Sequence, residues 1–200
     1  MSDRVRRRPW GRTPIAFLLV LALAAACGGD SSGDASAGGA SDLPGPVPAG
    51  VGFREAPAGA APAPALSARL VDGSPVAGSD LWEDRPVVLV FTASWCERCR
   101  DVHRRAADVV DEHAGVALLG LVTEDDAEPA RGYADELDLG HPIAVADDGV
   151  WLSYAVREPP AVVLVGPGGK VLRGWPGGVE ASVLAARLEE LVEDSGDAGG

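Results

Sequence analysis

The feature that most constrains the fold of this chain is a pair of cysteines at the junction of a buried strand and a helix. Residues 86–93 are almost continuously apolar, which is the pattern of a strand covered on both faces. Trp95, Cys96 and Cys99 follow at once, and after them comes a charged segment with helical periodicity. The sequence therefore predicts that the strand delivers two cysteines, spaced Cys-x-x-Cys, to the first turn of a helix.

That position favours redox chemistry at the sulfur atoms. The free N–H groups and the dipole of a helix start stabilise negative charge, so a cysteine there has a lowered pKa. The thiolate is the form that attacks disulfides. Cys96 lies nearest the helix start and is the predicted nucleophile, whereas Cys99, one turn further on, is the predicted resolving cysteine.

Other readings of the cysteine pair are a structural disulfide, two core cysteines or part of a metal site. A zinc site would need two further ligands, and only His103 lies on the correct face of the helix. A c-type haem would need histidine where Arg100 stands. We therefore expect no metal and no cofactor, with His103, His113 and His141 as surface or capping residues.

Strands and helices alternate along the rest of the chain and end in a hairpin. Strands are predicted at 65–71, 86–93, 116–122, 143–145, 161–165 and 171–175, and helices at 97–113, 128–137, 149–154 and 179–193. The last helix is expected to bury Val183, Leu184, Leu188, Leu191 and Val192. This order predicts an α/β fold with a sheet covered by helices on both faces.

The first 27 residues have the pattern of an export signal. Several arginines precede an apolar run at residues 15–26, which is shorter than the ~20 residues that span a bilayer. Small residues then lead into Cys27, in a pattern that resembles a bacterial lipobox. We expect residues 1–27 to be a signal peptide with a lipobox, Cys27 to be lipidated and the general secretory route to be used. An ordinary secretory peptide with an unmodified Cys27 is the alternative.

Composition sets the remaining boundaries. Residues 28–64 are rich in Gly, Ala, Ser and Pro without periodicity, which predicts a disordered linker between a membrane anchor and a folded domain at 65–194. A disordered tail is predicted at 195–200. The net charge of −13 argues against nucleic acid as a partner, because phosphates require a basic face.

Two stretches of the chain resemble one family. Residues 95–99, Trp-Cys-Glu-Arg-Cys after an apolar strand, resemble the active site of the thioredoxin superfamily, and most closely that of TlpA-like and ResA-like extracytoplasmic thiol-disulfide oxidoreductases. Residues 154–171 resemble the family's second motif, in which Tyr-x-Val leads to a proline, a strand and a turn ending in Gly-Lys. The resemblance covers roughly residues 66–194.

The resemblance implies a thioredoxin-like fold with a central mixed β-sheet and helices on both faces. It implies that Pro160 is the family's cis-proline and that Trp95, Pro159 and Pro160 contact the substrate chain. Two departures stand out: the buried acid of thioredoxins is Val90 here, and Pro159 has no N–H to offer a substrate.

The function implied by the resemblance is a monomeric, membrane-tethered oxidoreductase that reduces protein disulfides outside the cytoplasm. Family members often reduce apocytochrome cysteines before haem attachment. The expected partners are client proteins and a membrane electron donor or acceptor. Three alternatives stay open: an oxidant that introduces disulfides into secreted proteins, a copper-binding module and a non-catalytic binding module.

Overall fold

The structure is a computed structural model, and it describes residues 37–123 and 127–193. All of these residues belong to one unit, residues 34–200. The predicted signal peptide, Cys27 and the predicted C-terminal tail lie outside the described residues. Within the described part of the chain, no helix is both long and apolar enough to cross a membrane.

The described residues form a mixed sheet of seven strands with five α-helices and a short 3₁₀ helix. The strands are β1 Ser67–Leu70, β2 Pro75–Ala77, β3 Val87–Thr92, β4 Ala117–Val122, β5 Ile143–Val145, β6 Ala161–Gly166 and β7 Lys170–Pro176. The helices are α1 Gly78–Leu81, α2 Glu97–Asp111, α3 Ala127–Leu137, α4 Asp148–Ser153 and α5 Ala181–Glu189, with the 3₁₀ helix at Ala40–Asp42.

The order of strands across the sheet is β2-β1-β5-β4-β3-β6-β7. Strands β3, β4 and β5 are parallel, whereas β1, β2, β6 and β7 join them as antiparallel neighbours. The predicted mixed sheet is therefore confirmed. The short β2 was not predicted, because three residues beginning with a proline give no readable alternation.

Both faces of the central strands are covered, as their apolar sequence predicted. Val88 and Val90 of β3 belong to an apolar cluster that includes α2 and α5 residues. Leu89 and Phe91 belong to the cluster on the other face, where Phe91 contacts Trp151 of α4 edge to face, with ring centroids 5.2 Å apart. Strand β3 is therefore fixed on both sides before it reaches the cysteines.

The predicted apolar face of the last helix needs a correction. Leu184, Leu188 and Leu191 are buried, but Val183 is exposed. Helix α5 ends at Glu189, so Val192 lies beyond the helix and forms a bridge with Phe53 instead of continuing the helical stripe.

The predicted disordered linker also needs a correction over residues 37–64. Around Pro62 the chain pairs with the free edge of β7: the Ala63 N–H donates to the Gly169 carbonyl at 2.8 Å, and the Val171 N–H donates to the Ala61 carbonyl at 2.9 Å. Edge strands present unpaired backbone groups, and this segment satisfies them without needing an apolar sequence. Composition indicates only whether the side chains of a segment can form a core, so it does not predict a segment that is held by backbone hydrogen bonds.

The same segment contacts the domain at two further places. Near the end of α5, the Arg54 N–H donates to the Leu191 carbonyl at 2.8 Å and the Glu193 N–H donates to the Gly52 carbonyl at 2.9 Å. At the start of β5, the Ile143 N–H donates to the Gly38 carbonyl at 2.8 Å. The ordered domain therefore begins well before residue 65.

A buried polar cluster joins α2 to α3 and to the end of β3. His103 of α2 is fully buried, and its Nδ1 is hydrogen-bonded to the Tyr133 hydroxyl of α3 at 3.1 Å. That hydroxyl is also hydrogen-bonded to Oγ1 of Thr92 at 2.8 Å. Gly120 of β4 makes room for the imidazole, since a Cβ there would lie 2.6 Å from the His103 Cε1.

The assignment of His103 as a surface or capping residue is therefore wrong. The other two histidines differ: Nδ1 of His113 lies 2.7 Å from the Val109 carbonyl oxygen at the end of α2, and Nε2 of His141 lies 3.0 Å from a carboxylate oxygen of Asp111. Burial, and secondarily the nearby His141, lowers the pKa of His103 to about 3. His103 is accordingly neutral near pH 7.

This burial predicts a pH dependence of stability. In the unfolded chain the pKa of His103 returns to 6.5, so below that pH the unfolded state binds a proton that the native state excludes. The free energy of unfolding should therefore decrease as the pH is lowered. Between about pH 8 and about pH 5, His103 should contribute ~2 kcal/mol of this decrease. Urea unfolding of the wild type and of His103→Gln at several pH values between about 5 and 8 measures this decrease.

The expected result is a weaker pH dependence in His103→Gln, because glutamine does not titrate. The matched control is Val109→Ala, which removes buried contacts of the same helix but no titratable group, so it should lower stability by a similar amount at every pH and keep the wild-type pH dependence. Equal pH dependence in the wild type and in His103→Gln would show that His103 is accessible to protons in the native state.

Candidate active site

The two cysteines lie where the sequence predicted, at the start of α2. Cys96 is the N-cap residue of the helix, and its Sγ accepts a hydrogen bond from the backbone N–H of Cys99 at 3.2 Å. The two residues form a disulfide, with their Cα atoms 5.3 Å apart. A sulfur in this position receives a helix N–H group, which favours its thiolate form after reduction.

The two sulfurs differ in access. Cys96 is 9% exposed and Cys99 is fully buried. Trp95, directly before Cys96, is 70% exposed and stands at the surface beside it. Of the two cysteines, only Cys96 keeps any exposed surface. The order in which they attack and resolve stays a prediction.

The Pro159–Pro160 segment lies beside the same end of the sheet. Strand β6 begins directly after Pro160 and pairs antiparallel with β3, with Ala161 opposite Phe91. The Pro159–Pro160 peptide bond is cis, as the resemblance implied. Pro159 is half-buried and Pro160 is buried. Both lack an N–H, so the backbone of this pair can only accept hydrogen bonds.

A glycine turn that the sequence analysis missed connects the cysteine helix to Pro160. The Arg98 guanidinium donates to the Gly177 carbonyl at 2.8 Å, and the Gly177 N–H donates to the Pro160 carbonyl, also at 2.8 Å. Gly177 and Gly178 have φ values of 80° and 97°, which only glycine adopts without strain. A Cβ on Gly178 would lie 2.7 Å from a methyl group of Val102. In the sequence, the signals that could have indicated this turn were the Gly177-Gly178 pair and the arginine between the two cysteines.

Two grooves flank Pro159. One, of about 480 Å³, lies between Arg98, the proline pair and Gly177. The other, of about 570 Å³, is lined by Trp95, Trp151 and Leu152. Leu152, at 72%, is as exposed as Trp95. Of the predicted contact residues, Trp95 and Pro159 line the second groove, and Pro159 and Pro160 line the first.

The site has no buried carboxylate among the described residues. Val90, the position at which the resemblance implied a departure from the buried acid of thioredoxins, is buried. The buried polar side chains in the described ranges are Arg85, Thr92 and His103. Within those ranges there is also no group of three His, Cys, Asp or Glu residues placed to hold a metal ion.

The chain is similar to several known proteins. Residues 60–173 match the AhpC/TSA family. The thiol:disulfide interchange protein HelX of Rhodobacter capsulatus is 24% identical over 126 residues, which cover 62% of this chain and 70% of HelX. The structure of MTB DsbF, in its mixed oxidised and reduced forms, shares 26% identity with a TM-score of 0.56, covering 62% of this chain and 92% of DsbF. The exposed lipoprotein thioredoxin Etrx1 of Streptococcus pneumoniae shares 24% identity with a TM-score of 0.56, covering 64% of this chain and all of Etrx1.

Proposed function

The chain belongs to the AhpC/TSA family, and we propose that it reduces disulfide bonds of client proteins outside the cytoplasm while anchored to the membrane. It has the thioredoxin-like fold and the cysteine pair of a thiol-disulfide oxidoreductase. The observation that carries the proposal is the placement of the cysteine pair: Cys96 caps the start of a helix and keeps a small exposed surface, and the fully buried Cys99 lies one turn behind it, joined to it by a disulfide.

The reaction is two successive exchanges at sulfur. The Cys96 thiolate attacks one sulfur of a client disulfide, so that a mixed disulfide forms and the client's other sulfur leaves as a thiolate and takes up a proton. The Cys99 thiol gives up its proton and attacks the Cys96 sulfur, so the second client sulfur leaves as a thiolate, takes up a proton and completes the client dithiol. The client gains two electrons and the Cys96–Cys99 pair loses two. A membrane dithiol donor then restores the reduced pair by the same exchange in reverse.

The surroundings of Cys96 support the reducing direction. Strong oxidants of this kind owe their high potential to a strongly stabilised reduced thiolate. Here the influences on Cys96 oppose each other: the helix N–H of Cys99 and the nearby positive charge of Arg98 favour a thiolate, whereas the carboxylate of Glu97, directly after Cys96, opposes it. A moderately stabilised thiolate makes the dithiol the better electron donor.

The start of the described chain supports the tether. Gly38 contacts the start of β5, whereas Cys96 follows the far end of β3, which runs in the same direction. Cys27 lies eleven positions upstream of Gly38 in the sequence. A lipid on Cys27 would tether the folded domain to the membrane. Apocytochrome c, whose cysteines must be reduced before haem attachment, is a client that such an arrangement would serve.

Replacing Cys99 by serine tests the reaction. In Cys99→Ser the mixed disulfide can form on Cys96 but cannot be resolved, so covalent adducts with client proteins should accumulate several-fold over the wild type. Non-reducing electrophoresis of the full chain from acid-quenched cells, followed by mass spectrometry, measures them. Cys96→Ser is the matched control and should form none. Absence of adducts in Cys99→Ser would favour a non-catalytic module.

Replacing Cys27 by serine tests the anchor. The wild type should fractionate with membranes and carry acyl groups on its N-terminal cysteine, because two lipid chains give stable attachment. Cys27→Ser should lose the acyl groups and move to the soluble extracytoplasmic fraction, whereas Cys99→Ser should stay with membranes. An unmodified Cys27 in the purified wild type would contradict lipidation and leave an ordinary secreted protein.

A further inference from the structure

We propose that Arg98 makes the groove beside Pro159 and Pro160 selective for client segments that carry an aspartate or glutamate next to the reactive cysteine. The inference rests on the proposed function, because it concerns the clients that the Cys96–Cys99 pair exchanges with. It goes beyond that function in assigning a specificity-determining role to one side chain and a charge to the preferred client.

The Arg98 side chain is held at the rim of the groove. One of its guanidinium nitrogens donates to the Gly177 carbonyl at 2.8 Å, and Gly177 is in turn hydrogen-bonded to Pro160. A guanidinium has five N–H donors in a rigid plane, so this bond leaves donors that can face an incoming chain. Arg98 as a residue is exposed. A side chain fixed in this way loses less conformational entropy on binding than a free one.

The proline pair offers the groove no backbone donor. Pro159 and Pro160 have no N–H, so they cannot donate to the carbonyl groups of an extended client segment. Among the side chains that line the groove, the cationic donors are Arg98 and Arg157. A charged donor makes a stronger hydrogen bond to an anionic acceptor than to a neutral one, so these side chains favour a client that offers a carboxylate.

The charges of the groove point the same way. The charged residues that line it are Arg98, Arg157 and Glu158, two arginines against one glutamate. The chain as a whole carries a net charge of −13, which would repel acidic clients elsewhere on the surface. A carboxylate next to the client cysteine is therefore attracted most strongly at this groove, where a planar arginine can bind both of its oxygens.

Exchange rates with matched peptides test this inference. Each probe is a short peptide with one cysteine, disulfide-linked to mercaptoethanol, and the pairs differ only by Glu or Gln directly before or directly after that cysteine. The second-order rate constant with the reduced full chain is measured at low salt. In at least one of the two positions the Glu peptide should react about threefold faster than the Gln peptide, the size expected of one exposed ion pair.

The variants assign the preference to Arg98. Arg98→Gln should bring the Glu/Gln rate ratio to about one, Arg98→Lys should retain part of it, and Arg98→Glu should invert it. Arg100→Gln is the matched control, because Arg100 lies on the same helix but pairs with Glu136, with Nε 2.9 Å from a carboxylate oxygen, and it should keep the wild-type ratio. Added salt should reduce the ratio by screening.

The rate with hydroxyethyl disulfide, which is small and uncharged, separates two effects. If Arg98 acted only through the pKa of Cys96, its replacement would change the rates with all disulfides equally and leave the Glu/Gln ratio unchanged, which would overturn the inference. A wild-type ratio of one at both positions would also overturn it. No reaction with any disulfide, hydroxyethyl disulfide included, would instead refute the proposed function.

Discussion

The site depends on the antiparallel pairing of β3 with β6. Strand β3 ends at Thr92 and leads into Cys96, whereas β6 begins at Ala161 directly after Pro160, and the pairing of Phe91 with Ala161 places these two ends side by side. Neither the cysteine pair nor the proline pair could form this site alone, because they are about sixty residues apart in the chain. Both strands are buried along their whole length, so a shift of register by one residue would move apolar side chains out of two clusters at once.

The Gly177–Gly178 turn adds a second link between the same elements. Through Gly177 the cysteine helix is tied to the carbonyl of Pro160, and Gly178 lies against Val102 of that helix. On the opposite side of α2, His103 bonds to Tyr133, which bonds to Thr92 at the end of β3. The start of the helix is therefore tied to two other parts of the fold, which fixes the positions of Cys96 and Cys99.

The sequence was most informative where the signal is local. Three predictions rested on patterns within a few residues of the feature itself, and all are confirmed: the strand before the cysteines, the helix after them and the cis-proline before β6. The signals that failed concern contacts across the chain. His103 gives no sign in its own helix that Gly120 leaves room for it, and residues 61–63 pair with β7 through backbone groups that composition does not report. The hydrogen bond from Arg98 to Gly177 joins residues 79 positions apart, so local sequence patterns do not indicate it either.

The reduction potential of the Cys96–Cys99 pair tests most directly whether the pair acts as a reductant. The potential is measured by equilibrating the protein in redox buffers and tagging free thiols by mass. A moderately stabilised thiolate predicts a value near roughly −250 mV or below, as for thioredoxin. A value of about −120 to −180 mV would contradict the account and identify an oxidant of secreted proteins.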